Sequence, residues 1–92
     1  MRELSISVKA QGHINDLLLS EPKLVKKIFS LIADIQKHPF EGIGKPEALK
    51  YDFAGSWSRR ISDEHRLVYD VTDEKLLLFD VKTITTINNP QK

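Results

Sequence analysis

The chain has 92 residues, 40% hydrophobic and 29% charged, with 14 Lys/Arg against 13 Asp/Glu and no cysteine. Such a composition excludes a disulfide scaffold, a thiolate metal site, a thiol nucleophile and a disordered chain, and a net charge of +1 excludes the bulk basicity of a protein that coats nucleic acid nonspecifically. No apolar run approaches the roughly 20 residues that cross a bilayer, and the opening MRELSISVKAQGH carries Glu3 and no long apolar stretch, so a cytoplasmic protein without a secretory signal is expected.

A chain of this length buries only about 60–65% of its unfolded surface. One domain with one modest core is expected over residues 1–84, with a polar tail over 85–92, and a core this small leans on a partner for stability. Residues 1–40 carry six Lys/Arg against four acids, residues 41–66 five against five, and residues 67–92 three against four. Any contact with RNA must therefore come from a few placed cations.

LSISVK alternates loosely and predicts a short first strand. Ile14, Leu17 and Leu18 fall at helical spacing and predict a helix over residues 10–19. Ser20 is the expected N-cap of a second helix, with Pro22 in its first turn, where its missing donor costs nothing. Leu24, Val25, Ile28, Leu31, Ile32 and Ile35 form one apolar stripe, leaving Lys23, Lys26, Lys27, Asp34 and Lys37 on the outer face. Pro39 ends this helix. PFEGIGKPE, with two Pro and two Gly, is a loop. ALKYDF, SWSRRIS, HRLVYDV and KLLLFDVKT then read as four strands of an antiparallel meander, and the polar TTINNPQK is expected to fray.

The order β-α-α-β-β-β-β gives an α+β fold with two helices on one face of an antiparallel sheet. Strand residues alternate sides. In HRLVYDV the set His65, Leu67, Tyr69 and Val71 is the more apolar and should face the helices, leaving Arg66, Val68 and Asp70 on the open face.

Three blocks stand in order: PFEGIGKPEALK, then GSWSRRI, then EHRLVY. Together they resemble the YoeB (Txe/YoeB) branch of the RelE superfamily of toxin–antitoxin toxins, over residues 39 to about 78 and, more weakly, back through VKKIFSLIADI. The resemblance implies a toxin that cuts messenger RNA in the ribosomal A site and is neutralised by a small antitoxin protein, with a homodimer as a further expected assembly. It implies no metal and no cofactor. RNA self-cleavage needs a base for the ribose 2′-OH, cations for the transition state and an acid for the leaving 5′-oxygen.

By this resemblance Glu47 is the general base, although a Glu in a Gly/Pro loop taken alone is most often merely solvated. Arg66 and Arg60 match the arginines that stabilise charge in the transition state. Lys45, Lys50 and Arg59 are candidates for holding RNA phosphates, against the alternative of ordinary surface cations. Adjacent Arg59 and Arg60 point opposite ways in a strand, so a bulge is needed for both to reach one site. Trp57 either stacks on a base or packs in the core, and packing is the preferred reading. Tyr51 and Tyr69 read as strand tyrosines. His13, His38 and His65 lack metal-ligand spacing, and the strand alternation turns His65 towards the helices.

The family's closing His-Tyr pair, whose His is the general acid, falls on Ile84 and Thr85 here. A missing general acid costs about 10²–10⁴-fold in rate. Two functional classes follow: an endoribonuclease built on Glu47, Arg60 and Arg66, or a toxin-like domain that acts by binding its antitoxin within a repressor complex.

Overall fold

The computed structural model describes residues 1–83: β1 (Glu3–Ile6), α1 (Val8–Ser20), α2 (Pro22–Lys37), β2 (Glu47–Ala48), β3 (Trp57–Arg60), β4 (His65–Val71) and β5 (Lys75–Thr83), with a 3-10 turn at Tyr51–Phe53. The expected tail over 85–92 lies outside the described residues.

Ser7 starts α1. Its hydroxyl accepts from the Ala10 N–H at 3.0 Å and donates to the Phe79 carbonyl at 2.6 Å, tying the helix start to β5. Ser20 does not cap α2. Helix α1 runs on to include it, and its hydroxyl donates back to the Asp16 carbonyl at 3.1 Å. Only Glu21 then separates the two helices; it occupies the cap position of α2 without a side-chain hydrogen bond, while Pro22 supplies the preset first turn. The apolar stripe of α2 is as expected, with Val25, Ile28, Leu31, Ile32 and Ile35 all buried. Asp34 is the exception on the outer face: it is half-buried and held by an arginine described below.

The sheet order is β1-β5-β4-β3-β2. Four strands form the antiparallel meander, whereas β1 pairs with β5 in parallel, so the sheet is mixed. A parallel pair needs a long crossover, and the segment carrying both helices is part of it.

ALKYDF departs most from the expected strand. Only Glu47 and Ala48 pair with β3. Tyr51 then takes φ 58°, and the Phe53 and Ala54 N–H groups donate to the Lys50 and Tyr51 carbonyls, closing a 3-10 turn that Gly55 exits at φ 97°. This turn brings the Phe53 ring to 5.2 Å from Lys82 Nζ.

Leu67 and Tyr69 of β4 pack with Leu76, Leu78 and Val81 of β5 against the buried faces of α1 and α2. The β4–β5 register slips at one point: Val68 opposes Asp80 but Tyr69 opposes Leu78, leaving Phe79 as the extra residue of a bulge. Arg66 and Val68 lie on the face away from the helices, as the alternation predicts. That face is not bare, because Arg66 is only 7% exposed.

Candidate active site

Strand register gathers the cations. Arg60 opposes Arg66, and Arg66 opposes Lys82, giving one row across β3, β4 and β5. The next row runs Glu47, Ser58, Val68, Asp80. Cross-strand partners share a face, so a carboxylate at one edge and three cations meet on the side away from the helices.

Arg66 Nη1 lies 2.8 Å from Glu47 Oε1 and 3.4 Å from Ser58 Oγ. The guanidinium is nearly buried, while the Glu47 side chain is 57% exposed. The Nε atoms of both Arg60 and Arg66 are buried without a hydrogen-bond partner. Buried donors of this kind carry a cost. Lys82 completes the row, its Nζ 3.1 Å from Asp80 Oδ2. Asp80 is fully buried. Burial pushes its carboxyl up, but hydrogen bonds from Lys82, the Val81 N–H and Lys9 together hold it below the usual carboxylate value.

Arg59 goes elsewhere. It is fully buried on the helix side of the sheet. Its Nη1 donates to Asp34 Oδ2 at 2.5 Å and to the Ile43 carbonyl at 3.1 Å; Nη2 donates to the carbonyls of Glu41 (2.8 Å) and His38; Nε donates to the Tyr69 hydroxyl at 3.2 Å. With every donor spent on protein groups, Arg59 has none left for an RNA phosphate, so the phosphate-binding expectation fails for this residue. Its bonds fold the 38–44 loop instead. The Arg59 hydrogen bond holds the Asp34 carboxyl below its ordinary value, and burial pushes the Tyr69 phenol up.

That loop explains the GIG of the sequence. At Gly42 (φ +121°) a Cβ would stand 2.1 Å from Asp34 Oδ2, and at Gly44 (φ +80°) 2.7 Å from Leu31 Cδ2. The Gly44 carbonyl then accepts the Arg60 N–H at 2.6 Å. Arg59 thus fixes the loop that delivers Glu47, while Arg60, one residue on, faces the site. Lys45 and Lys50 are exposed on either side of Glu47.

Trp57 is half-buried against the core, its ring 4.9 Å from Phe40, which is the packing arrangement. Tyr51 sits in the 3-10 turn rather than a strand, and Tyr69 donates its hydroxyl to the Pro39 carbonyl at 2.8 Å. His65 is half-buried, with Nδ1 3.1 Å from Ser62 Oγ. Among the described residues no group of three or more His, Asp or Glu is arranged to hold a metal ion. Two participants were missed from sequence, Lys82 and Asp80. Their i, i+2 spacing in FDVKT was the available signal, but only the bulge-adjusted register sets Lys82 beside Arg66.

Comparison with known proteins identifies the family and matches the fold. Residues 13–84 match the model of the YoeB-like toxin of bacterial type II toxin–antitoxin systems. Toxin YoeB of Escherichia coli (strain K12) is 58% identical over 59 residues, covering 64% of this chain and 70% of that protein. The YoeB dimer from Staphylococcus aureus superposes with a TM-score of 0.82 at 39% identity, covering 88% of this chain and 94% of that one. A YoeB chain in the heterotetrameric YoeB-YefM toxin–antitoxin complex of the same organism superposes at 0.80 with 38% identity, covering 89% and 95%. On the match across residues 13–84, this chain belongs to the YoeB family of bacterial type II toxin–antitoxin toxins.

Proposed function

We propose that the chain is a metal-independent endoribonuclease that cuts messenger RNA on the ribosome. The observation that carries this reading is the Glu47 carboxylate 2.8 Å from a nearly buried Arg66, in line with Arg60 and Lys82. An RNA phosphate entering the row competes with Glu47 for Arg66 and frees the carboxylate for the neighbouring 2′-OH. Glu47 takes the 2′-proton, the O2′–P bond forms and the P–O5′ bond breaks, leaving a 2′,3′-cyclic phosphate and a 5′-oxygen that takes its proton from water. The Nε donors of Arg60 and Arg66 have no protein partner, which supports a role in stabilising the charge that builds on the phosphorane, and fixed donors of this kind supply the larger part of such catalysis. Lys45 and Lys50 hold the flanking phosphates. Ile84 and Thr85, where the family's acid-bearing pair would fall, lie outside the described residues.

A small antitoxin protein is the proposed partner, as in the S. aureus YoeB-YefM complex, and the S. aureus YoeB dimer supports a homodimer. No described helix is long and apolar enough to cross a membrane, and the proposed site of action is the cytoplasm.

The chemistry is tested on programmed ribosomes by replacing the nucleotide 5′ to the cut with its 2′-deoxy form. The expected result is loss of cutting at that position, with 2′,3′-cyclic phosphate ends on the normal message. Undiminished cutting of the deoxy message excludes 2′-OH attack.

A further inference from the structure

Strand β1 stops at Ile6, opposite Leu78, while β5 continues to Thr83. Helix α1 lies beside that edge, which no strand pairs beyond Ile6 among the described residues, and between them is a cleft of about 360 Å³, a volume in the range of small-molecule sites. Leu17 and Val81 give it an apolar lining, and both His13 and His65 border it. Buried Asp80 fixes its polar groups: Oδ1 lies 2.7 Å from His13 Nδ1, and Oδ2 lies 3.3 Å from Lys9 Nζ and 3.1 Å from Lys82 Nζ. The Asp16 carboxylate also lines the cleft and makes no ion pair among the described residues.

Charge and distance decide what this cleft can take. Asp16 and Asp80 balance Lys9 and Lys82, and Asp80 already engages both lysines, so a phosphate finds no surplus cation inside. His13 stands on α1 beside β5, across the sheet from Glu47 in β2, and its Nδ1 lies 2.7 Å from Asp80 Oδ1. Three strand spacings separate Glu47 from Asp80, roughly 14 Å between backbones. What remains is an apolar lining, two imidazoles, fixed donors and one free carboxylate acceptor. Those are the groups that recognise an unstacked base of single-stranded RNA, by stacking and by hydrogen bonds to its edge. Lys82 belongs both to the cleft and to the Arg60–Arg66 row, which sets the cleft beside the proposed phosphate path.

We propose that this cleft binds one base of the RNA adjacent to the phosphate held by Arg66, and that Asp16 selects a base with neighbouring N–H donors, guanine above the other three. The link to cutting rests on the nuclease reading, whereas affinity for a base does not. The test is an NMR titration of the isotope-labelled full chain with each of the four nucleoside 3′-monophosphates and with inorganic phosphate. The guanosine nucleotide is expected to move the His13 and His65 ring signals and the Leu17 and Val81 amides saturably, with inorganic phosphate leaving them in place. Asp16→Asn removes an exposed carboxylate, and it should reduce the guanosine preference by about tenfold, the scale of one bidentate base contact, while the fold is unchanged. Equal shifts with inorganic phosphate, or shifts confined to the Arg60–Arg66 row, overturn the proposal. On programmed ribosomes, Asp16→Asn should keep Glu47-dependent cutting and lose codon preference; an unchanged preference also overturns it. Base binding in the cleft by a chain that cuts nothing defeats the nuclease reading and leaves the cleft's ligand standing.

Discussion

Arg59 and Arg60 are chain neighbours with opposite fates. The alternation of β3 made it legible that they diverge, but not which of them would be buried, because nothing in SWSRRIS announces the carbonyls waiting for Arg59 in the 38–44 loop. Arg59 satisfies three carbonyls, a carboxylate and a phenol from full burial. Lysine offers a single compact ammonium and no planar fork, so Arg59→Lys leaves several of those acceptors unpaired. We predict that Arg59→Lys destabilises the chain by about 3 kcal/mol or more, read as a drop in thermal midpoint. Arg60→Lys should keep a midpoint near wild type and lose cleavage instead. Equal stability for the two variants would contradict the division of roles.

The element that positions the site is the loop into β2, and glycine governs it. Gly42→Ala meets both a positive φ and Asp34 Oδ2 at 2.1 Å, whereas Gly55→Ala meets a positive φ with nothing within 4 Å. Backbone strain alone costs about 1–3 kcal/mol, so both variants should be less stable. Gly42→Ala should be the worse of the two and should also reduce cleavage, because it breaks the Asp34–Arg59 contact behind Glu47. Urea unfolding of the pair checks the order, and a Gly55→Ala that is the more destabilised would refute it. At this scale the apolar stripe of α2 was plain, since its period follows directly from burial. ALKYDF was not, because alternating Leu49, Tyr51 and Phe53 read as a strand while the backbone at Tyr51 turns to φ 58°. The parallel pairing of Glu3 with Lys75 was equally hidden, since it joins the two ends of the described chain with no local signature. So was the bulge at Phe79, which decides that Lys82 joins the arginines.

For the whole molecule, stability should follow the carboxylates that the fold holds below their ordinary value. Asp34 and Asp80 both depart downward from 3.8, so the stability they contribute is complete above about pH 4. It is lost as pH falls below that and the two carboxyls protonate. Tyr69 departs upward from 10.0, so its contribution is complete below pH 10 and is lost as pH rises through its higher folded value. Thermal midpoints measured across pH should therefore be flat near neutrality and fall at both ends. Asp34→Asn should shrink the acid limb, and an unchanged acid limb would contradict the assignment. The family and the helix-on-sheet architecture were legible from three short motifs and one helical period. The division of cations between core and site was not, because it depends on register. The most direct test of the site is toeprinting of messenger RNA on programmed ribosomes with the wild-type chain and with Glu47→Gln, which keeps the shape of the side chain and removes the base. A site built on Glu47 as base predicts A-site cuts by the wild type that fall at least about 100-fold in the variant. Cuts that persist undiminished in Glu47→Gln, or a wild type that binds the ribosome and cuts nothing, would contradict it.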